Sequence, residues 1–313
     1  MSEQAVWDGL RGAIVTRALA IAADLDLAEA LADGPRTVDD LAAGSGADAD
    51  ALYRVLRALA SDGFFAEGPP RTFGNTDSSA LLRRPGWKDF AHLFGGVWMG
   101  PIAELKADGA PTFPRLHKTD FWSWLAATPD ERAAFDRAME QGAEGRLERL
   151  SSVTWRGDET VVDVGGGNGS LLLGFLARQP AMRGIVFDLP ETVRDESAFG
   201  DRCTFVAGSF FDAVPEEADA YVLASILHDW DDESAARILR TVRTAAGGGA
   251  RLILLEGVVE EGNDPDGGKW LDLLMLALFA GRERNEEQWR SLLGAEGFQV
   301  EQIRDGVIEA RCL

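Results

Sequence analysis

Hydrophobic positions along this 313-residue chain change their period near residue 160. Before that point they recur at helical spacing. Val15, Leu19, Leu25, Leu27 and Leu31, set among many alanines, predict a long helical stretch broken near Asp24 to Asp26. Thr37 follows Pro35 and Arg36 as a helix N-cap. Val38 to Ala43, a Gly44-Ser45-Gly46 turn and a second helix from about Asp48 to Ser61 then outline a helix-turn-helix. On the second helix Leu52, Val55, Leu56 and Leu59 form a packing face, and Gly63 ends it. Phe64 to Ala66 and Thr72 to Gly74, on either side of Gly68-Pro69-Pro70-Arg71, predict a hairpin wing. Residues 86–150 are helical and rich in aromatics, with Phe121, Trp122 and Trp124 as one cluster. They end in a long helix from Pro129 to about Leu150 that places Phe135 and Met139 one turn apart.

After residue 160 strands and helices alternate. Val161 to Val164, Gly184 to Phe187, Thr204 to Val206, Ala220 to Ser225 and Arg251 to Glu256 read as strands. A helix from about Asp232 to Ala246 joins the last two and stops at Gly247-Gly248-Gly249. Gln299 to Ile303 and Val307 to Arg311 flank Asp305-Gly306, a hairpin-turn signal, so the sheet ends with an antiparallel strand. The fold class is therefore α/β: a Rossmann-like doubly wound sheet with a final antiparallel hairpin, behind a mostly helical, winged-helix-like N-terminal domain. The expected domains are residues 1–85, a helical bridge over 86–150 that roofs a pocket, and 151–313.

The first strand runs straight into Asp163-Val164-Gly165-Gly166-Gly167-Asn168-Gly169. Glycines belong there because the strand-to-helix turn is tight and a ligand must approach bare backbone. Dinucleotide sites favour Gly-x-Gly-x-x-Gly with a pyrophosphate on the helix N-terminus. Here Gly165 and Gly167 are followed by Gly169 and preceded by an acid, a variant that suits S-adenosylmethionine, whose sulfonium is positive and which carries no phosphate. Asp163 lies below the turn, where it favours the cation. The second strand ends at Asp188, about 20 residues beyond the glycines, where a ribose-binding carboxylate is expected. Taken alone, the glycine run also reads as an ordinary strand-to-helix turn.

Chemistry concentrates after the fourth strand, in Ser225-Ile226-Leu227-His228-Asp229-Trp230. His228 is one of three histidines and falls at the carboxyl end of a sheet strand, where open α/β sheets bind ligands. It is the natural general base. A phenol's pKa is about 10 and an imidazole's about 6.5, so His228 does not create a stable phenolate but takes the proton as the nucleophile attacks. Glu256 ends the adjacent strand and Glu283 follows Gly281-Arg282 in a loop; either can accept the imidazole N–H and fix its tautomer. Considered alone, Glu283 reads as a surface glutamate.

Composition narrows the function classes. With 31 Lys plus Arg against 52 Asp plus Glu the formal charge is −21, which repels phosphate backbones, and the second helix of the N-terminal domain carries Asp48 and Asp50 beside only Arg54 and Arg57. A nucleic-acid partner is not expected. No basic-then-apolar signal pattern and no uncharged run of membrane length is present, which predicts a cytoplasmic protein with no membrane partner. The two cysteines, Cys203 and Cys312, sit in strand-like surroundings as small core residues.

These motifs, in order, carry a resemblance. Asp163 to Gly169, Phe187-Asp188-Leu189-Pro190, Gly208-Ser209-Phe210-Phe211, Leu227-His228-Asp229-Trp230-Asp231-Asp232 and Gly281-Arg282-Glu283-Arg284 make the chain similar to S-adenosylmethionine-dependent small-molecule O-methyltransferases of the caffeic acid and acetylserotonin type, including their bacterial natural-product relatives. The resemblance spans nearly the whole chain. It implies a homodimer through the N-terminal domain, no metal, S-adenosylhomocysteine as coproduct and an aromatic small-molecule acceptor. It assigns His228 as base with Glu256 and Glu283 flanking it and Asp229 near the acceptor. Carried over by position, Asp188 holds the ribose, Leu189 and Phe210 sandwich the adenine, and Ser225 and Trp230 add cofactor contacts beside Asp163, Gly165, Gly167 and Ser209. Trp122, Phe135, Met139, Met275 and Phe279 are the further acceptor-side residues. Ser209 stands where many relatives have Asp, and Ala224 where plant members have Lys. The alternatives are a non-methylating hydroxylase or cyclase on the same fold, a winged-helix regulator, and a metal-dependent methyltransferase. The last is disfavoured because no clear oxygen-ligand motif is present.

Overall fold

The computed structural model describes residues 3–190, 192 and 200–313. The chain forms two compact units, one made of Met1–Glu104 and Trp122–Gln141, the other of Leu105–Phe121 and Gly142–Leu313.

In the first unit, helix α1 (Glu3–Asp24) ends just before Asp26, whose left-handed backbone (φ 53°) breaks the run as the sequence predicts. Strand β1 (Arg36–Thr37), helices α2 (Val38–Ser45) and α3 (Ala49–Ser61) and strands β2 (Phe65–Gly68) and β3 (Thr72–Asn75) follow. The three strands form an antiparallel sheet in the order β1-β3-β2. Thr37 and Asp48 cap α2 and α3, accepting the N–H of Asp40 (3.2 Å) and of Ala51 (2.8 Å). Helix α2 runs on through Gly44 and Ser45 in place of the expected three-residue turn. One left-handed residue, Gly46, suffices to end it, with its N–H on the Ala42 carbonyl. Leu52, Leu56 and Leu59 turn inward onto Leu41, Phe65 and Phe73, so this face of α3 is core, as its spacing implies. The opposite situation holds on α1, where Val6, Trp7, Leu10 and Ile14 are 63–73% exposed along one side.

Helix α4 (Pro85–Gly95) packs on α1, and α5 (Phe121–Ala126) leads to α6 (Pro129–Glu140). The buried Asp89 of α4 receives two hydrogen bonds from Arg137 of α6, at 2.8 and 2.9 Å. The long helix expected from Pro129 to Leu150 is two helices, α6 and α7 (Ala143–Ser152). They part at Gln141-Gly142, and Gly142 serves as the N-cap of α7. Glycine is the weakest non-proline helix former, so the break falls where the chain passes from one unit to the other. The aromatic run divides as well. Trp122 meets Phe135 edge-on at 5.7 Å, whereas Phe121 packs on Phe113 and Phe279 at 5.1 and 4.9 Å. Consecutive helical side chains point about 100° apart, so adjacency in sequence does not make a cluster.

The second unit is built on a seven-stranded sheet. Its parts are β4 (Thr160–Val164), α8 (Ser170–Arg178), β5 (Arg183–Asp188), β6 (Cys203–Ala207), β7 (Ala220–Ala224), α9 (Asp232–Ala246), β8 (Arg251–Leu255), α10 (Gly267–Phe279), α11 (Glu286–Ala295), β9 (Phe298–Arg304) and β10 (Val307–Cys312). The order is β6-β5-β4-β7-β8-β10-β9, parallel up to β8, with β10 antiparallel to both neighbours. Alternate residues supply two cores. Val162, Val164, Tyr221, Leu223, Leu252 and Leu254 face α9 and α11, while Val161, Val186, Val222, Ile253 and Leu255 face α7 and α8. The β9–β10 turn has Asp305 and Gly306 at φ 51° and 72°, as a tight hairpin requires. Both cysteines are buried and free, on β6 and β10. No helix among the described residues is long and apolar enough to cross a membrane. Between β5 and β4 on one side and β7 on the other, the chain reverses its direction of winding, and the carboxyl ends of these strands carry the polar residues singled out above.

Candidate active site

The glycine turn after β4 is tied to the end of β5. Gly165, Gly167 and Gly169 all have positive φ (74°, 61° and 81°). The N–H groups of Gly165 and Gly166 donate to the Phe187 carbonyl at 2.8 and 3.2 Å, and that of Gly167 donates to Asp188 Oδ2 at 2.8 Å. Asp188 Oδ1 accepts the Leu189 N–H at 2.7 Å. Thus the two expected cofactor motifs touch.

Asp163 is buried beneath this turn. A Cβ on Gly166 would stand 2.8 Å from its carboxyl group, and its Oδ2 has no hydrogen-bond partner. Burial, reinforced by the Asp188 charge and opposed by Arg146, pushes its pKa up to about 7. Above Gly167 there is open space where a side chain would go. A buried acid lacking a partner, beneath bare backbone, fits a ligand that brings positive charge and hydrogen-bond donors. Around it, Leu189 is 39% exposed and Phe210 lies over Gly165. Ser209 Oγ accepts the Phe211 N–H at 3.2 Å, and Trp230 meets Phe211 edge-on at 4.7 Å. Ser225, at the end of β7, holds a left-handed backbone (φ 56°), a strained state for a residue with a Cβ and one that clusters at functional sites.

The same region carries His228. Ile226 reaches over the glycine turn so closely that a Cβ on Gly165 would collide with it. The chain then makes a single 3-10 turn, Leu227–Asp229. His228 Nδ1 stands 2.6 Å from Glu283 Oε1, which assigns the ring proton to Nδ1 and leaves the Nε2 lone pair as the basic site. Asp229 Oδ1 is 3.5 Å from Nε2. Glu256 does not take the imidazole N–H. Its Oε1 accepts the backbone N–H groups of Ile226 and Leu227 at 2.9 and 2.8 Å, so it holds the turn rather than the ring. Glu283, which in isolation reads as a surface residue, is 5% exposed. It lies 55 residues from His228 in sequence, and nothing local announces its burial.

Burial alone would lower the pKa of His228. Asp229, the Glu283 hydrogen bond and Glu256 outweigh it and push the value up to about 10. At that value the ring is mostly imidazolium at neutral pH and accepts a proton only in its neutral form. Asp229 in turn is raised to about 7 by burial, against the pull of His228, and Glu256 is raised by burial as well.

The residues that the sequence assigns to the acceptor side belong to different units. Asp229, Met275 and Phe279 belong to the second, where Met275 is buried and Phe279 is half-buried against Phe121. Trp122, Phe135 and Met139 belong to the first, half-buried on α5 and α6. Two residues that the sequence reading passes over touch the surroundings of His228. Asp272, on α10, accepts the Glu283 N–H at 2.7 Å. Arg284, fully buried, binds the turn that bears His228. Its only sequence signal is its place in the run Gly281-Arg282-Glu283-Arg284.

Residues 7–84 match the O-methyltransferase dimerisation domain, and residues 100–299 match the O-methyltransferase domain. The chain is 36% identical to the phenazine O-methyltransferase of Lysobacter antibioticus over 324 aligned positions, covering 96% of this chain and 94% of that protein. The crystal structure of LaPhzM superposes with a TM-score of 0.92 at 35% identity, over 99% of both chains. An O-methyltransferase from neocarzinostatin biosynthesis (NcsB1), solved with S-adenosylmethionine and 2-hydroxy-5-methyl naphthoic acid, gives a TM-score of 0.86 at 32% identity, over 95% of this chain and 96% of that one.

Replacing Asp163 by Asn tests the electrostatics beneath the glycine turn. A folded-state pKa of about 7, against about 3.9 for an unfolded Asp, means that stability present below pH 4 is lost as pH rises through 7. Asn has no such loss. In urea unfolding of ligand-free protein, Asp163→Asn should exceed wild type by about 2–4 kcal/mol at pH 8 and by clearly less at pH 5. An equal difference at both pH values would refute the buried-charge account.

Proposed function

Since the chain belongs to the S-adenosylmethionine-dependent O-methyltransferase family, we propose that it methylates a phenolic hydroxyl of an aromatic small molecule, with His228 as the general base. The observation that carries this reading is the His228–Glu283 pair at 2.6 Å, at the carboxyl end of β7 and beside the glycine turn. The relatives' acceptors, phenazines and a naphthoic acid, support a flat aromatic acceptor of natural-product type.

The cofactor site draws on residues of the second unit. Asp188 receives the ribose hydroxyls, Leu189 and Phe210 take the adenine, and Ser209, Ser225 and Trp230 add contacts. Asp163 with Gly165 and Gly167 meets the positively charged methionine end. Bound there, S-adenosylmethionine supplies an electrophilic methyl group on a sulfonium. What the chain contributes is alignment and a base. Holding the hydroxyl in line at near-attack distance lowers the barrier by several kcal/mol, on the order of effective-molarity effects.

His228 Nε2 receives the hydroxyl proton as negative charge grows on oxygen. With the imidazole raised to about 10, only its neutral fraction accepts the proton at neutral pH, so turnover rises with pH up to that value. Glu283 keeps Nδ1 protonated and stabilises the imidazolium that results, while Glu256 fixes the backbone that aims it. Asp229, Met275 and Phe279 contact the acceptor, and Trp122, Phe135 and Met139 are acceptor-side candidates carried by the resemblance. On this reading the functional domains follow residues 1–85, 86–150 and 151–313.

A second copy of the chain is proposed to cover the apolar side of α1. Four large exposed side chains on one helix of a dimerisation domain make a self-complementary surface.

S-adenosylhomocysteine formation from labelled cofactor, measured across phenols, hydroxyphenazines and hydroxynaphthoates, tests the chemistry. His228→Ala should lower kcat by about 10²- to 10⁴-fold with cofactor Kd within about twofold of wild type. Asp188→Ala should instead weaken cofactor binding by tenfold or more. Unchanged turnover in the first, or unchanged affinity in the second, removes the corresponding role. For the dimer, Leu10→Asp with Ile14→Asp should convert the species seen by analytical ultracentrifugation at micromolar concentration to monomer. A wild-type chain that is already monomeric there would count against the proposal.

A further inference from the structure

The base depends on a turn whose backbone is held almost entirely by side chains from other elements. Ile226 and Leu227 give their N–H groups to Glu256. The His228 carbonyl accepts the Arg282 N–H at 2.8 Å, an approach possible because residue 281 is glycine: a Cβ there would overlap the His228 and Asp229 backbone. Two further carbonyls of the turn go to one guanidinium. Arg284 Nη1 donates to Leu227 O at 2.9 Å and Nη2 to Trp230 O at 3.0 Å, one bond before His228 and one after Asp229. Its Nε donates to Asp232 Oδ1 at 3.0 Å, in the first turn of α9.

The plane of this fork is itself fixed. Arg284 is 0% exposed, with its guanidinium carbon 5.0 Å from the Trp289 ring centroid, and the Trp289 N–H is bound to the Gly257 carbonyl next to Glu256. A planar group with donors in fixed directions can span two carbonyls three residues apart, and a lysine ammonium cannot do so in the same way.

We propose that Arg284 is the positioning residue of the base. It locks Leu227 and Trp230 into one rigid turn so that His228 Nε2 stays aimed at the reacting hydroxyl. Glu283, the neighbouring residue, orients the ring about its own axis, whereas Arg284 sets where the ring is. The proposal rests on the reading of His228 as general base and concerns its geometry, not its proton affinity.

The test is a double-mutant cycle of Arg284→Lys with His228→Ala, read as S-adenosylhomocysteine formation, with cofactor Kd by calorimetry and thermal unfolding alongside. If Arg284 acts through His228, Arg284→Lys lowers kcat 10- to 100-fold in the wild-type background and less than twofold in the His228→Ala background. KM and cofactor Kd stay within about threefold. A loss of equal size in both backgrounds, or turnover within twofold of wild type, overturns the proposal. If His228→Ala itself leaves kcat unchanged, the base assignment fails instead, so the two failures are distinguishable. Should Arg284→Lys not fold, Asp232→Ala removes the exposed acceptor of Nε and enters the same cycle, where a threefold or larger non-additivity is expected and strict additivity overturns the proposal.

Discussion

Three carboxylates, Asp229, Glu256 and Glu283, are buried around a single imidazole, and the rest of the second unit is arranged to make that tolerable. Each acid removed from water carries a desolvation penalty unless a charge or a donor meets it. His228 meets Glu283 directly, two backbone N–H groups meet Glu256, and Asp229 is pushed toward its neutral form. Glu256 Oε2 and Glu283 Oε2 still lack partners. A cluster so rich in acid, with Asp163 nearby, holds a field that favours a cation before any ligand arrives. The strongly acidic composition, which makes a nucleic-acid partner unexpected, is in this region also a feature of the site.

The same cluster explains why His228 is unusual. An isolated buried histidine loses its proton more readily than one in water; here the surrounding acids reverse the sign. The price is that geometry must be held tightly, because a stronger base pointed elsewhere is of no use. The hydrogen bonds that tie one short turn to Glu256, Arg282 and Arg284 supply that rigidity, and their partners come from two separate places in the chain.

Much of the architecture was legible because it is written in local periods and punctuation. Alternating two-sided strands, the glycine turn, Asp188 at its spacing and the Asp305-Gly306 hairpin are short-range signals, and each element formed where its residues predict. What the sequence hid depends on contacts between distant segments. Gly142 lies in a pattern that otherwise reads as one helix, and only tertiary packing decides that it breaks. Phe121 and Trp122 are neighbours in sequence but go to different partners. Glu283 and Arg284 reach His228 and its turn across more than fifty residues, so neither their burial nor the division of labour between Glu256 and Glu283 has a local trace.

Helix α10 joins two duties that would ordinarily be separable. Met275 and Phe279 are the residues of this helix assigned to the acceptor, and Asp272, one turn before Met275, holds the Glu283 N–H. A shift of the helix that admits a larger ring therefore also moves the carboxylate that orients the base. Broadening of acceptor range by substitution along this helix is mechanically linked to turnover, so divergence within such a scaffold is easier through elements that bear on the acceptor without touching Glu283. Pockets diversify fastest where their walls are not also the frame of the catalyst.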